Sequence, residues 1–197
     1  MRLTTICSLL LAPLALWASP SLIPPVGVYR SAAQFRQQRP QPAGRDVRPS
    51  DKRDGYVVKQ DNGRGKRKVV VPADSVWGYV DGNGRMYRVF AGQTYEIQRA
   101  DTLTLYSALP LAPGGTGEVL GSTGRRYGVP QYFFSQGIDG VIFPLEIKNL
   151  RLAYAETNPE FVLAAEKLGF FKSLTDYDRD SDTYRVERLY RNPRAAN

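Results

Sequence analysis

The sequence has no histidine and a single cysteine, Cys7, and these two shortages exclude most of the common catalytic centres. Without histidine there is no Ser-His-Asp triad, no imidazole general base and no histidine-ligated metal. Cys7 lies in an N-terminal segment that we expect to be removed, so the remaining chain offers no thiolate, no disulfide and no cysteine-bound metal. An enzyme built from this chain would depend on carboxylates, a serine-lysine pair, tyrosine or an oxygen-ligated metal, and no motif marks any of these.

Long apolar runs are also scarce, and the one present lies at residues 3–17. It follows Arg2 and ends in small residues, which is the pattern of a cleaved secretory signal peptide. We place this signal peptide at residues 1–21, with cleavage after Ala18 or after Ser21. The run is shorter than the roughly 20 residues that span a bilayer, and no later segment approaches that length. The sequence therefore predicts an exported protein without a transmembrane span after cleavage, located in the periplasm, at the outer-membrane surface or outside the cell.

The chain is basic, with 27 Lys and Arg against 19 Asp and Glu. Loss of Arg2 with the signal peptide leaves 26 basic residues against 19 acidic ones, a net charge of +7. A basic exported protein is attracted to anionic surfaces, although the same basicity also serves solubility alone. If a charged partner exists, we expect an anionic component of the cell envelope and not a nucleic acid.

Residues 22–53 are rich in Pro, Arg and Gln, a composition typical of a mostly flexible linker. One island differs, because Ser31 and Gln34 have the spacing of a capping box and predict a short helix ending before Pro40. After this linker, we expect residues 54–191 to form a single β-rich α+β domain.

Antiparallel strands are predicted through the middle of the chain. The pair Asn62-Gly63 favours a hairpin turn, and the glycine turn at residues 81–84 predicts a second hairpin. In that hairpin we expect Trp77 and Tyr79 to share one face, with Gly78 allowing a neighbouring group to approach closely. The predicted strands cover residues 56–59, 68–71, 76–80, 85–90, 93–98 and 102–108, and apolar runs resume at 132–134 and 141–143.

The C-terminal third changes to a helical period. Apolar spacing predicts a helix within residues 145–154, and Asn158-Pro159 is a typical helix start. Residues 184–190 are predicted to form a last strand. The predicted fold class is α+β, with an antiparallel β meander or a partly closed barrel followed by C-terminal helices.

A glycine-rich stretch at residues 115–124 superficially matches a phosphate-binding loop. A dinucleotide fingerprint must open a helix, however, and Pro130 and the further glycines that follow exclude one. We interpret the stretch as a flexible loop and predict no cofactor.

A basic run, made of Arg64, Lys66, Arg67 and Lys68, lies beside the first hairpin turn. One interpretation is a contact with an anionic partner, in which each cation adds to a salt-sensitive attraction. The other is a solvated hairpin tip whose charges discourage edge-to-edge pairing of strands. Both remain open from sequence alone.

An acidic run at residues 176–182 raises the question of a metal site. Asp176, Asp178, Asp180 and Glu187 occupy positions one, three, five and twelve of an EF-hand calcium loop. Ser181 stands where that loop needs glycine, and the segment that follows is predicted as a strand where the motif requires a helix. We therefore expect an exposed connection, keep these four residues as a calcium alternative, and predict no other metal site.

Four aromatic-rich tracts resemble exported proteins of unknown function from Bacteroidota. The tracts are residues 75–79, 84–88, 132–135 and 149–154, and the likeness extends over residues 27–190. The resemblance implies an envelope or secreted location, and it assigns no activity and no site residue.

Two functions of different class are compatible with this sequence. We expect a non-enzymatic binding or accessory protein of the envelope. The alternative is a hydrolase of an envelope polymer, using two carboxylates from the set Asp139, Glu146 and Glu118. Glycoside hydrolysis requires two carboxyl groups about 5 to 10 Å apart in one cleft, and the sequence does not place them.

Overall fold

In the described residues, the architecture consists of a seven-stranded and a three-stranded antiparallel sheet, a two-stranded ribbon and a layer of helices. The computed structural model describes residues 23–51, 54–61, 63, 65–109, 129–168 and 173–196. The strands are β1 (Gly27–Tyr29), β2 (Asp46–Pro49), β3 (Gly55–Asp61), β4 (Lys66–Pro72), β5 (Gly78–Val80), β6 (Met86–Phe90), β7 (Gln93–Arg99), β8 (Leu103–Ala108), β9 (Gln131–Gln136), β10 (Phe143–Pro144), β11 (Tyr177–Asp178) and β12 (Thr183–Tyr184). The helices are α1 (Ala32–Arg36), α2 (Ile147–Tyr154), α3 (Pro159–Glu166) and α4 (Arg185–Arg191), with 3₁₀ turns at Ala73–Ser75 and Pro193–Ala196.

The fold class is α+β, as the sequence predicts. A main sheet has the strand order β1-β5-β6-β7-β8-β9-β10, a small sheet has the order β2-β3-β4, and β11 pairs with β12. From β5 to β10 each strand pairs antiparallel with the next. Because β1 and β10 are its two edges, the main sheet is an open meander, and the partly closed barrel is not formed.

Several sequence predictions lie outside the described residues. These are the signal peptide at 1–21, the glycine-rich stretch at 115–124, Arg64 and Glu118. In the part of the chain that is described, no helix has the length and apolar character needed to cross a bilayer.

Two layers share one face of the main sheet, which we call the front face. Cross-strand pairing places Tyr87, Glu96, Ser107 and Tyr132 in one row on this face, because paired residues of antiparallel strands point to the same side. At the Tyr87 end the small sheet packs on the front face, and at the Tyr132 end the helices do. The two layers therefore cover opposite ends of the same surface.

The opposite or back face is covered by α1 and by the segment between β9 and β10. Phe35 of α1 and two residues of the segment, Ile138 and Ile142, are buried against Tyr95 and Tyr106 of the sheet. Close ring contacts hold this layer, since Phe35 lies 5.2 Å from Tyr29 between ring centroids.

The described part of the predicted linker, residues 23–51, contributes to the core. Val28 and Tyr29 of β1 are 0 % exposed, and β1 pairs with β5 along its whole length. Val47 of β2 is buried in the interface between the two sheets. This corrects the prediction of a mostly flexible segment. The physical reason is that these short strands gain their burial from partners distant in sequence, which local composition does not reveal.

The helical island in that segment is present as α1. The Ser31 hydroxyl accepts a hydrogen bond from the Gln34 amide at 3.2 Å, as an N-cap does. The return bond differs from a standard capping box, because the Gln34 side chain accepts from the Arg30 amide at 2.7 Å and not from Ser31.

The prediction of a last strand at residues 184–190 is wrong, because the segment forms α4. Val186 and Leu189 stand three residues apart and are both 0 % exposed, which is the spacing of a buried helical stripe. The helix start is capped, since the Glu187 carboxylate accepts from the Tyr184 amide at 2.8 Å. The β-branched and aromatic residues of this segment suggested a strand, but its apolar residues follow a helical period.

The prediction that Trp77 and Tyr79 share a face is also wrong. Trp77 packs on the back-face layer, 5.4 Å from Phe35, whereas Tyr79 stacks on Tyr87 at 4.7 Å on the front face. Strand β5 begins only at Gly78, so the regular alternation starts after Trp77. A Cβ atom at Gly78 would lie 2.4 Å from the Tyr87 carbonyl oxygen, which confirms that a close backbone approach requires glycine here.

Candidate functional site

Lys66, Arg67 and Lys68 of the basic run lie on β4, an edge strand of the small sheet. Val47, Val58 and Val69 point from this sheet toward the main sheet, so the residues that alternate with them face outward. We call this outward surface the basic face. Its residues are Asp46, Arg48, Val57, Lys59, Asp61, Lys66, Lys68 and Val70.

The charges of the basic face are only partly compensated. Lys59 pairs with Asp46 at 2.5 Å, and this hydrogen bond lowers the pKa of Asp46. Lys66 and Lys68 are exposed, as is Arg67 on the same strand, and none of the three forms an ion pair with another described residue. The cations of β4 therefore remain available to an anion from outside.

Three of the four aspartates in the acidic run, in contrast, are paired with arginines from other elements. Asp176 forms an ion pair with Arg185, and the Asp178 carboxylate lies 3.4 Å from the Arg188 guanidinium. Asp182 accepts a salt bridge from Arg99 of β7 at 2.9 Å.

Local hydrogen bonds engage the same carboxylates further. Asp178 accepts from the Ser181 hydroxyl at 2.9 Å and from the Asp180 amide at 3.0 Å, and these bonds lower its pKa. Asp182 accepts from the Tyr177 hydroxyl, which lowers the pKa of Asp182 and raises that of Tyr177.

The calcium alternative does not assemble in the described residues. Glu187, the twelfth position, is 3 % exposed and caps α4, where it lies 3.8 Å from the Arg99 side chain. No three carboxylates within the described residues are grouped so as to hold a metal ion. The segment after the acidic run forms helix α4, so the strand prediction that argued against the EF-hand motif is wrong. The first acid of this helix, Glu187, nevertheless accepts a hydrogen bond from the backbone at the start of the helix.

The two hydrolase carboxylates within the described residues, Asp139 and Glu146, are each paired with a cation. Asp139 accepts a hydrogen bond from Arg36 at 2.6 Å, which lowers the pKa of Asp139. Glu146 lies 2.7 Å from Lys148 at the start of α2. Neither carboxylate shows the burial in an apolar pocket that raises the pKa of a general acid.

A cavity of about 470 Å³ lies where α1 meets the turn between β7 and β8. Arg36 and Asp101 stand on its rim, with Phe35 and Ile138 among its lining residues. Asp101 accepts from the Thr102 amide at 2.7 Å and pairs with Arg191 at 2.6 Å, and both contacts lower its pKa. The rim acid therefore stays ionised, which does not suit the proton donor of a glycosidase.

Arg88 is a buried cation that sequence analysis did not single out. It is 3 % exposed, and its guanidinium donates to the Gly140 carbonyl at 2.7 Å, the Asp139 carbonyl at 3.2 Å and the Tyr106 hydroxyl at 3.1 Å. The guanidinium carbon also lies 5.6 and 5.1 Å from the ring centroids of Trp77 and Phe90. These carbonyl groups and cation–π contacts compensate much of the charge, while the buried Nε atom has no hydrogen-bond partner among the described residues.

A half-exposed polar strip follows β7 on the front face. Thr94, Glu96 and Gln98 are partly exposed and alternate with the buried residues Tyr95 and Ile97 of the back face. The pairing of β7 with β8 shifts between residues 97 and 99, which is a β-bulge. Bulges redirect side chains and are frequent next to binding sites.

Comparison with known proteins gives no support for a specific family. No family model matches the chain, and neither a curated protein nor a solved structure matches it. The functional argument therefore rests on the charges and contacts described above.

Proposed function

We propose that this chain is an exported, non-enzymatic binding protein that attaches to an anionic component of the cell envelope through its basic face. The observation that carries the proposal is a pair of exposed cations on the basic face, Lys66 and Lys68 of β4, which form no ion pair with another described residue. The exposed Arg67 lies between them on the same strand and points to the other side. The pattern of a signal peptide at residues 1–21 supports export.

The geometry of β4 favours a polymer or surface that carries repeated anionic groups. Lys66 and Lys68 point to the same side and are about 7 Å apart along the strand. Arg48 lies on the same face two strands away, which adds a distance of about 10 Å across the sheet. Each exposed contact contributes little alone, so binding requires several contacts together and weakens as salt increases.

The contacts of the two described carboxylates that a hydrolase would use support a binding function over hydrolysis. Asp139 pairs with Arg36, which lowers the pKa of Asp139, and Glu146 pairs with Lys148. A glycosidase requires one acid to carry a proton near neutral pH.

The test compares two triple variants that change the net charge by the same amount. In the first, Lys66, Arg67 and Lys68 are each replaced by glutamate. In the matched control, three exposed cations elsewhere, Arg30, Arg39 and Arg194, are replaced by glutamate. Binding of the secreted protein to alginate and to vesicles containing phosphatidylglycerol is measured at about 50 and 500 mM salt.

We expect the wild-type protein to bind at least one of these probes at low salt and to release it at high salt. The β4 variant should lose about tenfold or more in affinity, whereas the control should stay within about threefold. Equal losses in both variants would show that net charge alone acts, and the proposal would then fail. Absence of binding to both probes at low salt would refute it as well.

A further inference from the structure

Strand β4 is the longest open sheet edge in the part of the chain that the structure describes. It has seven residues and pairs only with β3. The outer side of β1 is covered, because Val28 forms backbone hydrogen bonds with Gln41 and Pro42, and β10 at the other edge of the main sheet has only two residues. An open edge presents unpaired backbone N–H and C=O groups to a further strand.

The hydrogen bonds of the small sheet show which backbone groups of β4 face this open edge. The carbonyls of Gly55 and Lys59 in β3 accept from amides that flank β2, at 2.9 and 2.8 Å. Their backbone groups therefore point away from β4. Because this direction alternates along a strand, the register directs the amides and carbonyls of Lys66, Lys68 and Val70 away from β3. Within the described residues, none of these three forms a backbone hydrogen bond outside β3.

The side chains of the same three residues lie on the basic face, and they indicate the chemistry of a further strand. Lys68 stands opposite Lys59, a charge of the same sign, and Lys66 stands opposite Asp61. Neither Lys66 nor Lys68 forms an ion pair with another described residue. Val70 is 39 % exposed at the end of the row. Acids beside the two lysines and an apolar residue beside Val70 would form favourable cross-strand pairs.

The spacing of the cations matches an extended polypeptide. Alternate side chains of a strand are about 7 Å apart, so acids at every second residue meet Lys66 and Lys68 one for one. A second copy of this chain is a poor partner, because pairing centred on Lys68 would bring two lysines directly opposite each other. Lysine on an edge strand discourages self-association in this way, and the same charge favours an acidic strand.

We propose that the edge of β4 binds an extended acidic polypeptide segment as a further antiparallel strand, with acids at alternate positions beside Lys66 and Lys68. This inference rests on the proposed function, and it identifies the anionic component as a polypeptide. In strand addition the main-chain hydrogen bonds supply affinity, and the alternate side chains supply specificity.

The probe is the synthetic peptide acetyl-Thr-Val-Thr-Glu-Thr-Glu-Thr-amide, whose valine and two glutamates face Val70, Lys68 and Lys66 in antiparallel register. Two N-methylated derivatives of equal charge form a matched pair. Methylation of the first glutamate blocks an amide that points to β4, whereas methylation of the threonine after it blocks an amide that points to solvent. Binding is measured by calorimetry, and hydrogen exchange of the β4 amides is followed by NMR.

We expect the peptide to bind with a dissociation constant below about 1 mM. At about 5 mM peptide, exchange of the Lys68 and Val70 amides should slow about fivefold or more, whereas the Val69 and Val71 amides, which point to β3, should change little. Methylation of the first glutamate should weaken binding about tenfold, and methylation of the threonine less than about threefold.

The charge requirement is tested by the double variant Lys66→Glu and Lys68→Glu, with thermal unfolding as the check on its fold. It should lose the acidic peptide and bind a peptide in which lysine replaces both glutamates. Continued binding of the acidic peptide by this variant would overturn the proposal. Equal binding of the two methylated peptides, or no protection of the Lys68 and Val70 amides at about 5 mM peptide, would overturn it as well.

Alginate and the phosphatidylglycerol vesicles separate this inference from the proposed function. They attract the cations but supply no strand, so they should leave exchange of the Lys68 and Val70 amides unchanged. If they bind and the peptide does not, strand addition alone is wrong. If the peptide protects these amides and neither alginate nor the vesicles bind, the test of the proposed function fails while strand addition stands.

Discussion

The basic run on β4 and the acidic run at residues 176–182 are similar in sequence, since each concentrates charges of one sign in a few residues, but the fold treats them differently. The acids receive arginines from two other elements, Arg99 from β7 and both Arg185 and Arg188 from α4. The cations of β4 form no ion pair with a described carboxylate, although Asp61 of β3 stands opposite Lys66. Three of the four aspartates of the acidic run are therefore neutralised by arginines, whereas the cations of β4 form no ion pair with a described residue.

The difference follows from which element lies beside each run. Arg185 and Arg188 are three residues apart on α4, so they lie on the same side of the helix and both reach the acidic loop. Beside β4 lies β3, which places Lys59 directly opposite Lys68, a charge of the same sign. A run of like charges in a sequence thus produces an electrostatic field outside the protein only where the neighbouring element does not neutralise those charges.

The largest effect on the free energy of unfolding is expected from a substitution where the acidic region meets the core. Glu187 is buried, caps α4 and lies near Arg99. Glu187→Ala should lower the free energy of unfolding by about 2 kcal/mol, because it removes a cap and leaves a partly buried arginine with one partner fewer. Denaturation with urea measures this change.

The matched variant for the basic region is Lys68→Ala, which should change the free energy of unfolding by no more than about 0.5 kcal/mol. Equal destabilisation by the two variants would mean that both runs are structural, and the comparison would then be invalid.

A smaller effect, on the motion of the acidic loop, is expected when the pH is lowered. The pKa values of Asp178 and Asp182 are lowered from 3.8 in the folded protein. Groups of this kind contribute stability above their ordinary pKa and lose it as the pH falls through the folded value. Below about pH 3.5 the loop at residues 176–182 should therefore gain motion, while β4 stays unchanged because its cations keep their protons.

Backbone amide relaxation measured by NMR from pH 6 down to pH 2.5, as approximate limits of the titration, follows both regions in one sample. If β4 loosens together with the loop, the acid response is global, and the carboxylate contacts of the loop are not its cause.

The smallest effect, on the melting temperature, is expected when calcium is added. Asp176, Asp178 and Asp182 are already engaged by arginines, and Glu187 faces its own helix. Addition of about 5 mM calcium chloride should shift the melting temperature by less than about 1 °C relative to magnesium chloride at equal concentration. A rise of several degrees that Asp178→Asn abolishes would show that a calcium site forms and that the acidic run is available to external ions.

The sequence predicts those parts of the fold whose signals are local. The hairpin of β3 and β4 follows from a turn flanked by valines, and α3 begins at the predicted cap, where the Asn158 side chain accepts from the Phe161 amide at 3.2 Å. Strands β1 and β2 are missed because Val28 and Val47 become buried only through pairing with distant segments.

The groups that shape the candidate sites are harder to predict. An arginine within a strand, such as Arg88, is normally expected to face solvent, and only the back-face layer makes it a buried cation. The polar strip of β7 does have a signal, because Thr94, Glu96 and Gln98 alternate regularly with apolar residues. That signal indicates a half-buried strand, but not that Tyr56 of the small sheet and Tyr184 of β12 each form a hydrogen bond with its polar side.

The contacts of Arg88 join three distant parts of the chain to one charge. Its partners belong to β6, to β8 and to the segment that follows β9. If any one of these parts separated from the others, a cation would lose partners in a medium of low dielectric constant, at a high cost in free energy. Partial opening of the back face is therefore costly in free energy. The amide hydrogens of these three parts should exchange with solvent in a single cooperative event, as one unfolding unit.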